Sequence, residues 1–459
     1  MLRLGGEQME MLWDAVLPAE MLALPPDLAR LDALCDDGEL LAPFRSLWLE
    51  RWPEALGRGR PRVAMETFVR LMLVKQRYGW GYERLLREVS DSISLRRLCR
   101  IALDRSLPDE STIRKLVRRL GEQPICELSR LVIAKATRET RFRGRAVRID
   151  STVVEADVRY PTDAGLALDG ARALVRVTRA LRTPGAAVPV VDRSRAIGRR
   201  LCSLGRALRR RTGDAKAEVV ALTGECGELL AQSVKQARAL AEAARRGARG
   251  RGARRKLAAA RRVEQVAARA ERITRQIRQR VAGERIADRL VSLADPDARP
   301  IRKGKLGNPT QFGYVAQLAE VCPASGPGQR GFLVPVTITI GNPSENELLP
   351  QSVAELANAG LAPRIVAVDG GFQSRATAEA FEPIAPRQLF IAGRKVAASR
   401  STRRRLARFR TGCEGRISHL KRAYSLGRSR LRGLAGVNTH TNWAILAYNA
   451  DTYQRYATA

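Results

Sequence analysis

Apolar positions recur with helical spacing over the first 138 residues. Apolar side chains lie three and four positions apart in MEMLWDAVLP, LAPFRSLWLERW, TFVRLMLVKQRYG and GYERLLREVSDSISLRRLC, a pattern typical of amphipathic helices. SLPDESTIRKLVRRLG adds a helix start, because Pro108, Asp109 and Ser111 are residue types that cap helix N-termini. The sequence therefore predicts an N-terminal all-α domain over residues 1–138.

The spacing changes at residues 143–163. Ala146, Val147 and Ile149 predict a short strand that ends at Asp150. A Ser-Thr dipeptide follows the aspartate directly. We expect this strand to belong to a domain whose remaining strands come only after a long insertion.

Residues 166–299 are rich in Arg and Ala and predict a helical insertion. The loop RTPGAAVP (182–189) interrupts it early. Two later stretches carry apolar residues at heptad-like spacing. They are Val219, Leu222, Cys226 and Leu229, and then Val263, Val266, Ala270, Ile273 and Ile277. We interpret them as the arms of a long antiparallel helical hairpin that turns within residues 245–255, each arm about 50 Å long at 1.5 Å per residue.

From residue 300 onwards the pattern is that of an α/β domain. The strand candidates are 312–321, 331–341, 364–371 and 388–393. Helices are predicted at ENELLPQSVAELANAG, at SRATAEAFE, around Glu414 after a basic linker (394–410), and at NTHTNWAILAYNADTY. The predicted fold class is an α/β mixed sheet flanked by helices, built from residues 139–165 and 300–459.

The charge balance points to a polyanionic partner. The chain carries 82 Lys and Arg against 47 Asp and Glu, a net charge of +35. Nucleic acid is the usual partner of so basic a protein. The helix after Asp109 presents Arg114, Lys115, Arg118 and Arg119, which we expect to contact DNA in a helix-turn-helix-like unit. A plain helical bundle with a solvated basic face is the alternative. For the basic hairpin, a surface that follows DNA phosphates and a solvated charged face both remain open.

Several classes of site are disfavoured by composition. The seven cysteines are scattered and never spaced as C-x-x-C, which disfavours a disulfide framework and a structural zinc site. His419 and His440 are the two histidines of the sequence, too few for a multi-histidine metal site. No apolar run approaches the roughly 18–20 residues that span a bilayer, and the N-terminus lacks a secretory pattern. A bound metal would therefore be held by carboxylates.

Three carboxylates form the candidate catalytic set. Asp150 and Asp369 each follow a predicted strand, and chemistry collects at the carboxyl ends of strands in open α/β sheets. Glu414 comes from a helix, with Arg410 and Lys421 on the same face. Such a set suits Mg²⁺ or Mn²⁺, and two ions can clamp the attacking and leaving oxygens of a phosphodiester. Taken alone, each residue also fits a structural role: Asp369 in a turn, Asp150 as a cap, and Glu414 in a surface ion pair with Arg410.

The motifs resemble those of the DDE transposases of bacterial insertion sequences, which have an RNase H-like catalytic core. GRPRVAMETFVRLMLVKQRYGWGYERLLREVSDSISLRRLC with PDESTIRKLVRRL is similar to their N-terminal domain, and GKLGNPTQFGYVAQLAE to the second-strand block of an unclassified group. RIDSTVVEADVRYPTD resembles the first-acid block and VAVDGGFQS the second, in which an aromatic residue, here Phe372, follows the glycine. RTGCEGRISHLKR resembles the block in which Arg precedes the Glu by four and Lys follows it by seven.

The resemblance implies Asp150, Asp369 and Glu414 as metal-binding catalytic acids, with Arg410 and Lys421 as DNA contacts. Metal-activated water would cut a strand at the element's end, and the freed 3′-hydroxyl would attack target DNA. It implies a cytoplasmic, nucleoid-associated homo-oligomer on double-stranded DNA, with no membrane or organic cofactor. Two features depart from the family: Ala407 stands where many members have Tyr, and the long insertion precedes Asp369 instead of following it.

Two other hypotheses remain open at the level of sequence. An RNase H-like nuclease or resolvase would use the same acids without strand transfer. A non-catalytic, nucleoid-like DNA-binding protein would depend on the basic helices alone. A role at a membrane surface is disfavoured, because the basic helices lack an aromatic-rich apolar face.

Overall fold

The computed structural model describes residues 17–51, 63–181, 190–210, 212–302, 309–395 and 398–458. Most of the predicted helix at MEMLWDAVLP, and the loop 182–189, lie outside these residues. The chain divides into two compact units, and we describe each by itself. The first comprises residues 1–155 and 314–459, and the second comprises residues 156–313. The domain boundaries that we place at 138, 165 and 299 stay predictions.

The N-terminal part of the first unit is helical, as its apolar spacing predicts. Arg70, on the fourth of these helices, is buried and pairs with Asp32 and Asp36, so a charge network ties the early helices together. The described helices are α1 (Ala19–Leu22), α2 (Pro26–Cys35), α3 (Gly38–Arg51), α4 (Met65–Arg77), α5 (Tyr82–Asp91), α6 (Ile93–Leu98), α7 (Glu110–Leu120) and α8 (Gln123–Glu139).

A mixed sheet forms the α/β part of the chain. Its principal strands lie in the order β2-β3-β1-β6-β7, with the short strands β4 and β5 paired to β3, and β8 paired to β1. β1 and β6 run parallel, as do β6 and β7, whereas β2, β4 and β5 run antiparallel to β3. The strands are β1 (Ala146–Ala156), β2 (Arg299–Arg302), β3 (Thr310–Cys322), β4 (Phe332–Leu333), β5 (Ile338–Thr339), β6 (Ile365–Val368), β7 (Gln388–Ile391) and β8 (Arg428–Ser429).

The first strand is longer than predicted. We expected β1 to end at Asp150, but it continues to Ala156. Val153 and Val154 are buried, and the backbone N–H of Glu155 donates to the carbonyl of Gly427 at 3.0 Å. The long neighbour β3 and the short strand β8 supply backbone partners beyond the aspartate, so pairing extends the strand.

The predicted strand 331–341 is wrong as a single element, because only β4 and β5 at its two ends are strands. Pro335 lies between them, and the backbone there pairs with asparagine side chains of the last helix, α16 (Gly433–Ala457). Each backbone N–H donates to an asparagine Oδ1. The pairs are Leu333 with Asn449, Val336 with Asn442 and Ile338 with Asn438, at 2.9, 2.9 and 2.6 Å. These side chains replace a neighbouring strand as hydrogen-bond partners.

Three further helices accompany the sheet: α13 (Glu345–Asn358), α14 (Ser374–Phe381) and α15 (Arg400–Ala423). The predicted linker 394–410 is corrected, because α15 begins at Arg400 and already includes Arg410. Its start is capped by the Ser399 hydroxyl, which accepts from the Thr402 N–H at 3.2 Å. Leu406 and Phe409 are buried against the sheet, so the segment reads as basic but folds as an amphipathic helix.

The second unit contains the predicted antiparallel hairpin and two more helices. The arms are α11 (Gly213–Arg246) and α12 (Ala253–Val281), and the chain turns between them within the predicted segment 245–255. Their apolar seams share one core with α9 (Asp163–Thr178) and α10 (Ser194–Ala207). The insertion is therefore a four-helix unit, because the hairpin buries its seam against these helices as well.

A matched pair of glycines on α15 tests how closely this helix approaches the sheet. A Cβ at Gly412 would lie 1.9 Å from Nη1 of Arg148, whereas a Cβ at Gly415 would meet nothing within 4 Å. Arg148 is buried and cannot swing into solvent. We expect Gly412→Ala to lower the free energy of unfolding by about 1–3 kcal/mol. Gly415→Ala should raise it by up to about 1 kcal/mol. Urea denaturation of both variants measures this, and equal effects would contradict the close approach.

Candidate active site

The structure places Asp150 and Asp369 side by side on neighbouring strands. In the parallel pair β1 and β6, Ile149 lies opposite Val368, so the aspartates are the next residues in register. Adjacent strands lie about 4.8 Å apart. Each carboxylate accepts a hydrogen bond at 2.7 Å from the backbone N–H of the residue that follows it, Ser151 or Gly370. The two strands that precede the aspartates are therefore parallel neighbours in the sheet.

Arg410 connects the second aspartate to the glutamate of α15. Its Nη1 lies 3.2 Å from Oδ1 of Asp369, and its Nη2 donates to Oε1 of Glu414 at 2.9 Å. The Arg410 side chain is 15% exposed, whereas that of Glu414 is 62% exposed. Glu414 therefore lies at the solvent-facing rim and reaches the aspartates through the guanidinium of Arg410. Arg410 and Glu414 form the i,i+4 ion pair that their spacing allows. Arg410 also pairs with Asp369, so the three residues are linked.

Glu345 is a further carboxylate beside Asp150 that was not singled out from sequence. It occupies the first turn of α13 and accepts a hydrogen bond from the Ser151 hydroxyl at 2.5 Å. Its segment, PSENELL, reads as a helix start, and Glu347 accepts from the N–H and the hydroxyl of Ser344 as in a capping box. The sequence offers no local signal that separates Glu345 from an ordinary first-turn acid.

The Asp150 carboxyl is surrounded by more negative than positive charge. Burial raises the pKa of Asp150 to about 6, and the charges of Glu345 and Asp369 add to the rise. The N–H of Ser151 and the guanidinium of Arg410 act in the opposite direction on this pKa. A cation beside Asp150 would relieve this excess of negative charge.

A buried ion pair fixes the helix that carries Arg410 and Glu414. Arg148, two residues before Asp150, donates to Oε2 of Glu320 on β3 at 2.7 Å and to the carbonyl of Phe409 at 2.9 Å. Arg416, on the same helix, donates to Oε1 of Glu320 at 2.8 Å. The helix is therefore tied to the sheet on both sides of Glu414. Neither Arg148 nor Glu320 was singled out from sequence.

Of the predicted DNA-contacting side chains, Arg410 lies in this cluster, and the others follow it on α15 or lie on α7. Lys421 follows Glu414 on α15 and is half-buried. On α7, four cations are exposed: Arg114, Lys115, Arg118 and Arg119. Arg114 pairs with Glu110 and lies over the ring of Tyr82, 5.4 Å from its centroid. Their contact with DNA stays a prediction.

The donor chemistry of the site fits a hard divalent cation in part. Asp150 and Asp369 offer carboxylate oxygens at adjacent strand positions, the ligand type that Mg²⁺ and Mn²⁺ prefer. Within the described part of the chain, no group of three His, Cys, Asp or Glu side chains is placed to hold a metal ion. In this arrangement Glu414 is paired with Arg410, and its role as a metal ligand stays a prediction.

Comparison with known families gives two matches along the chain. A model described as a transposase domain (DUF772) matches residues 20–119, and one described as a transposase DDE domain matches residues 327–450. The second match includes Asp369, Arg410 and Glu414 but not Asp150, which lies before the insertion. No curated protein and no solved structure matches the chain. In the described residues, no helix is long and apolar enough to cross a membrane.

Proposed function

Because the chain belongs to the insertion-sequence DDE transposases, which cleave DNA and transfer its strands, we propose that Asp150, Asp369 and Glu414 are its catalytic carboxylates in an RNase H-like core. The observation that carries the assignment is the register that sets Asp150 beside Asp369 across the long insertion. The ion pairs of Arg410 with Asp369 and Glu414 support the third member. The nuclease and nucleoid-protein hypotheses gain no supporting observation.

The proposed role of each site residue follows from its position. Asp150 and Asp369 would hold the divalent cations, Mg²⁺ or Mn²⁺, two of them in the proposed mechanism. Bound there, such ions activate water and stabilise charge on the attacking and leaving oxygens of a phosphodiester. Glu414, at the exposed rim, would meet the incoming DNA, and Arg410 could exchange a carboxylate for a phosphate. Lys421 extends the positive charge along α15.

Two basic surfaces would bind the DNA: the exposed cations of α7 and the tip of the hairpin. On the arms, arginines pair across the hairpin, as Arg238 does with Glu271 at 2.6 Å and Arg278 with Glu228 at 3.2 Å. At the tip, Arg249, Arg251 and Arg254 are exposed and form no ion pair with a described residue. Unpaired arginines release counterions when they meet phosphates, so the tip suits the DNA backbone. We also propose that the transposase acts as a homo-oligomer on its DNA.

Loss of any one catalytic carboxylate should abolish the reaction and leave DNA binding intact. Asp150→Asn, Asp369→Asn and Glu414→Gln remove charge with little change of shape, so cleavage and joining should vanish. The measurement is Mg²⁺- or Mn²⁺-dependent joining of a labelled 3′-OH end, taken from the DNA that flanks the gene, to a plasmid. Wild-type joining in one variant removes that residue from the site. Cleavage by the wild-type protein without joined product would favour the nuclease.

The tip of the hairpin should contribute to the salt dependence of DNA binding. Replacing Arg249, Arg251 and Arg254 by Ala should flatten the slope of log K against log salt by about 2–3, since each lost phosphate contact removes about 0.9. The control replaces Arg238, Arg245 and Arg278 by Ala. It removes the same charge from arginines that pair with glutamates. Its slope should change by less than about 1. Equal slopes for the two triple variants would contradict a contact at the tip.

A further inference from the structure

The Glu345 side chain reaches the backbone next to both aspartates, within β1 and just after β6. Its Oε1 accepts the Ser151 hydroxyl hydrogen bond at 2.5 Å, and Ser151 directly follows Asp150. On the other side, a Cβ at Gly371 would lie 3.2 Å from Oε2 of Glu345, and Gly371 follows Asp369 by two residues. The two carboxylate oxygens of Glu345 thus lie against β1 directly after Asp150 and against the loop that follows β6.

The backbone around Glu345 is held in place from two directions. Its carbonyl accepts from Nε2 of Gln317 on β3 at 2.8 Å, and Gln317 is itself held by the hydroxyl of Ser352 at 2.7 Å. The next residue, Asn346, accepts through Oδ1 from the backbone N–H of Gln373 at 3.1 Å. The first turn of α13 is therefore fixed both to the sheet and to the loop that follows Asp369. The Glu345 carboxylate is a pre-positioned group, because its backbone cannot shift without breaking these bonds.

We propose that Glu345 is a positioning residue of the cation site. It sets the backbone beside Asp150 and Asp369 and adds the negative charge that strengthens binding of a divalent cation. The proposal rests on the proposed role of the two aspartates as cation ligands. Conservative loss of the Glu345 charge should therefore weaken the cation before it affects the fold. Supporting groups around metal ligands typically contribute a factor of 10–100 in metal affinity.

Calorimetric titration of the full-length protein with Mn²⁺, without DNA, tests the proposal. In Glu345→Gln the amide oxygen can still accept from Ser151 but the charge is gone, so the dissociation constant for Mn²⁺ should rise about tenfold. Glu345→Asp restores the charge and should recover part of the affinity. The control is Glu347→Gln, which removes the same charge from the same helical turn. Glu347 is exposed and contacts Ser344, so the Mn²⁺ affinity of this control variant should stay within about twofold of wild type.

The outcomes separate this proposal from the proposed function. If Glu345→Gln binds Mn²⁺ as wild type does while Asp369→Asn does not, the role of Glu345 is overturned and the catalytic assignment stands. Equal losses in Glu345→Gln and Glu347→Gln overturn it too, since they reveal a general effect of charge at the helix start. Wild-type Mn²⁺ binding in both Asp150→Asn and Asp369→Asn refutes the site itself.

A folding defect is handled by a second variant. Thermal unfolding of each protein shows whether it is folded. If Glu345→Gln is not folded, Ser151→Ala provides the test, because it removes the hydrogen bond to Glu345 and leaves every charge in place. A rise of about threefold in the Mn²⁺ dissociation constant, with the melting temperature near that of wild type, supports the positioning role. An unchanged constant overturns it.

Discussion

The carboxylate of Glu320 is the group on which the arrangement of the first unit depends. Its side chain is fully buried, and Arg148 and Arg416 both donate to it. The backbone N–H of Gly331 donates to Oε1 at 2.9 Å, and the Tyr448 hydroxyl lies 3.4 Å from it. One carboxylate thus joins β1, β3, the segment before β4, α15 and α16. A buried charge is tolerated only when it is paired and hydrogen-bonded, so the elements that provide these partners must come together.

The same network fixes the position of α15, the basic helix that carries Glu414. Arg148 reaches beneath α15 to the carbonyl of Phe409, and the helix passes over the guanidinium at Gly412. A larger residue at Gly412 would separate the helix from the sheet. Arg410 and Glu414 lie within one turn of this crossing, so their height above Asp369 is set by the buried pair. The two glycines near Glu414 have different surroundings. Gly412 lies against Arg148 and leaves no room for a side chain, whereas a Cβ at Gly415 would meet nothing within 4 Å.

The features that could be predicted from sequence are those with a local signature. Helical spacing located most of the described helices, and apolar runs located the strands that lead to Asp150 and Asp369, although nothing local shows that these strands are neighbours. The features that could not be predicted depend on distant partners. No local pattern shows that Asn442 would supply the backbone partners of Val336, so the segment between β4 and β5 looked like a continuous strand. Glu345 looked like a helix cap, because its contact with Ser151 is made across nearly two hundred positions of chain.

The charge of the protein is distributed in a way that suits metal-dependent chemistry on DNA. The chain as a whole is strongly basic and attracts phosphate, yet Asp150, Glu345 and Asp369 gather negative charge beside β1 and β6. A phosphodiester drawn to the basic surface would be repelled at this cluster unless a cation stood between them. Arg410 already supplies one positive group there, paired with Asp369 and Glu414. If the proposed catalytic site lies at this acidic cluster, the approach of DNA to it would depend on a bound cation.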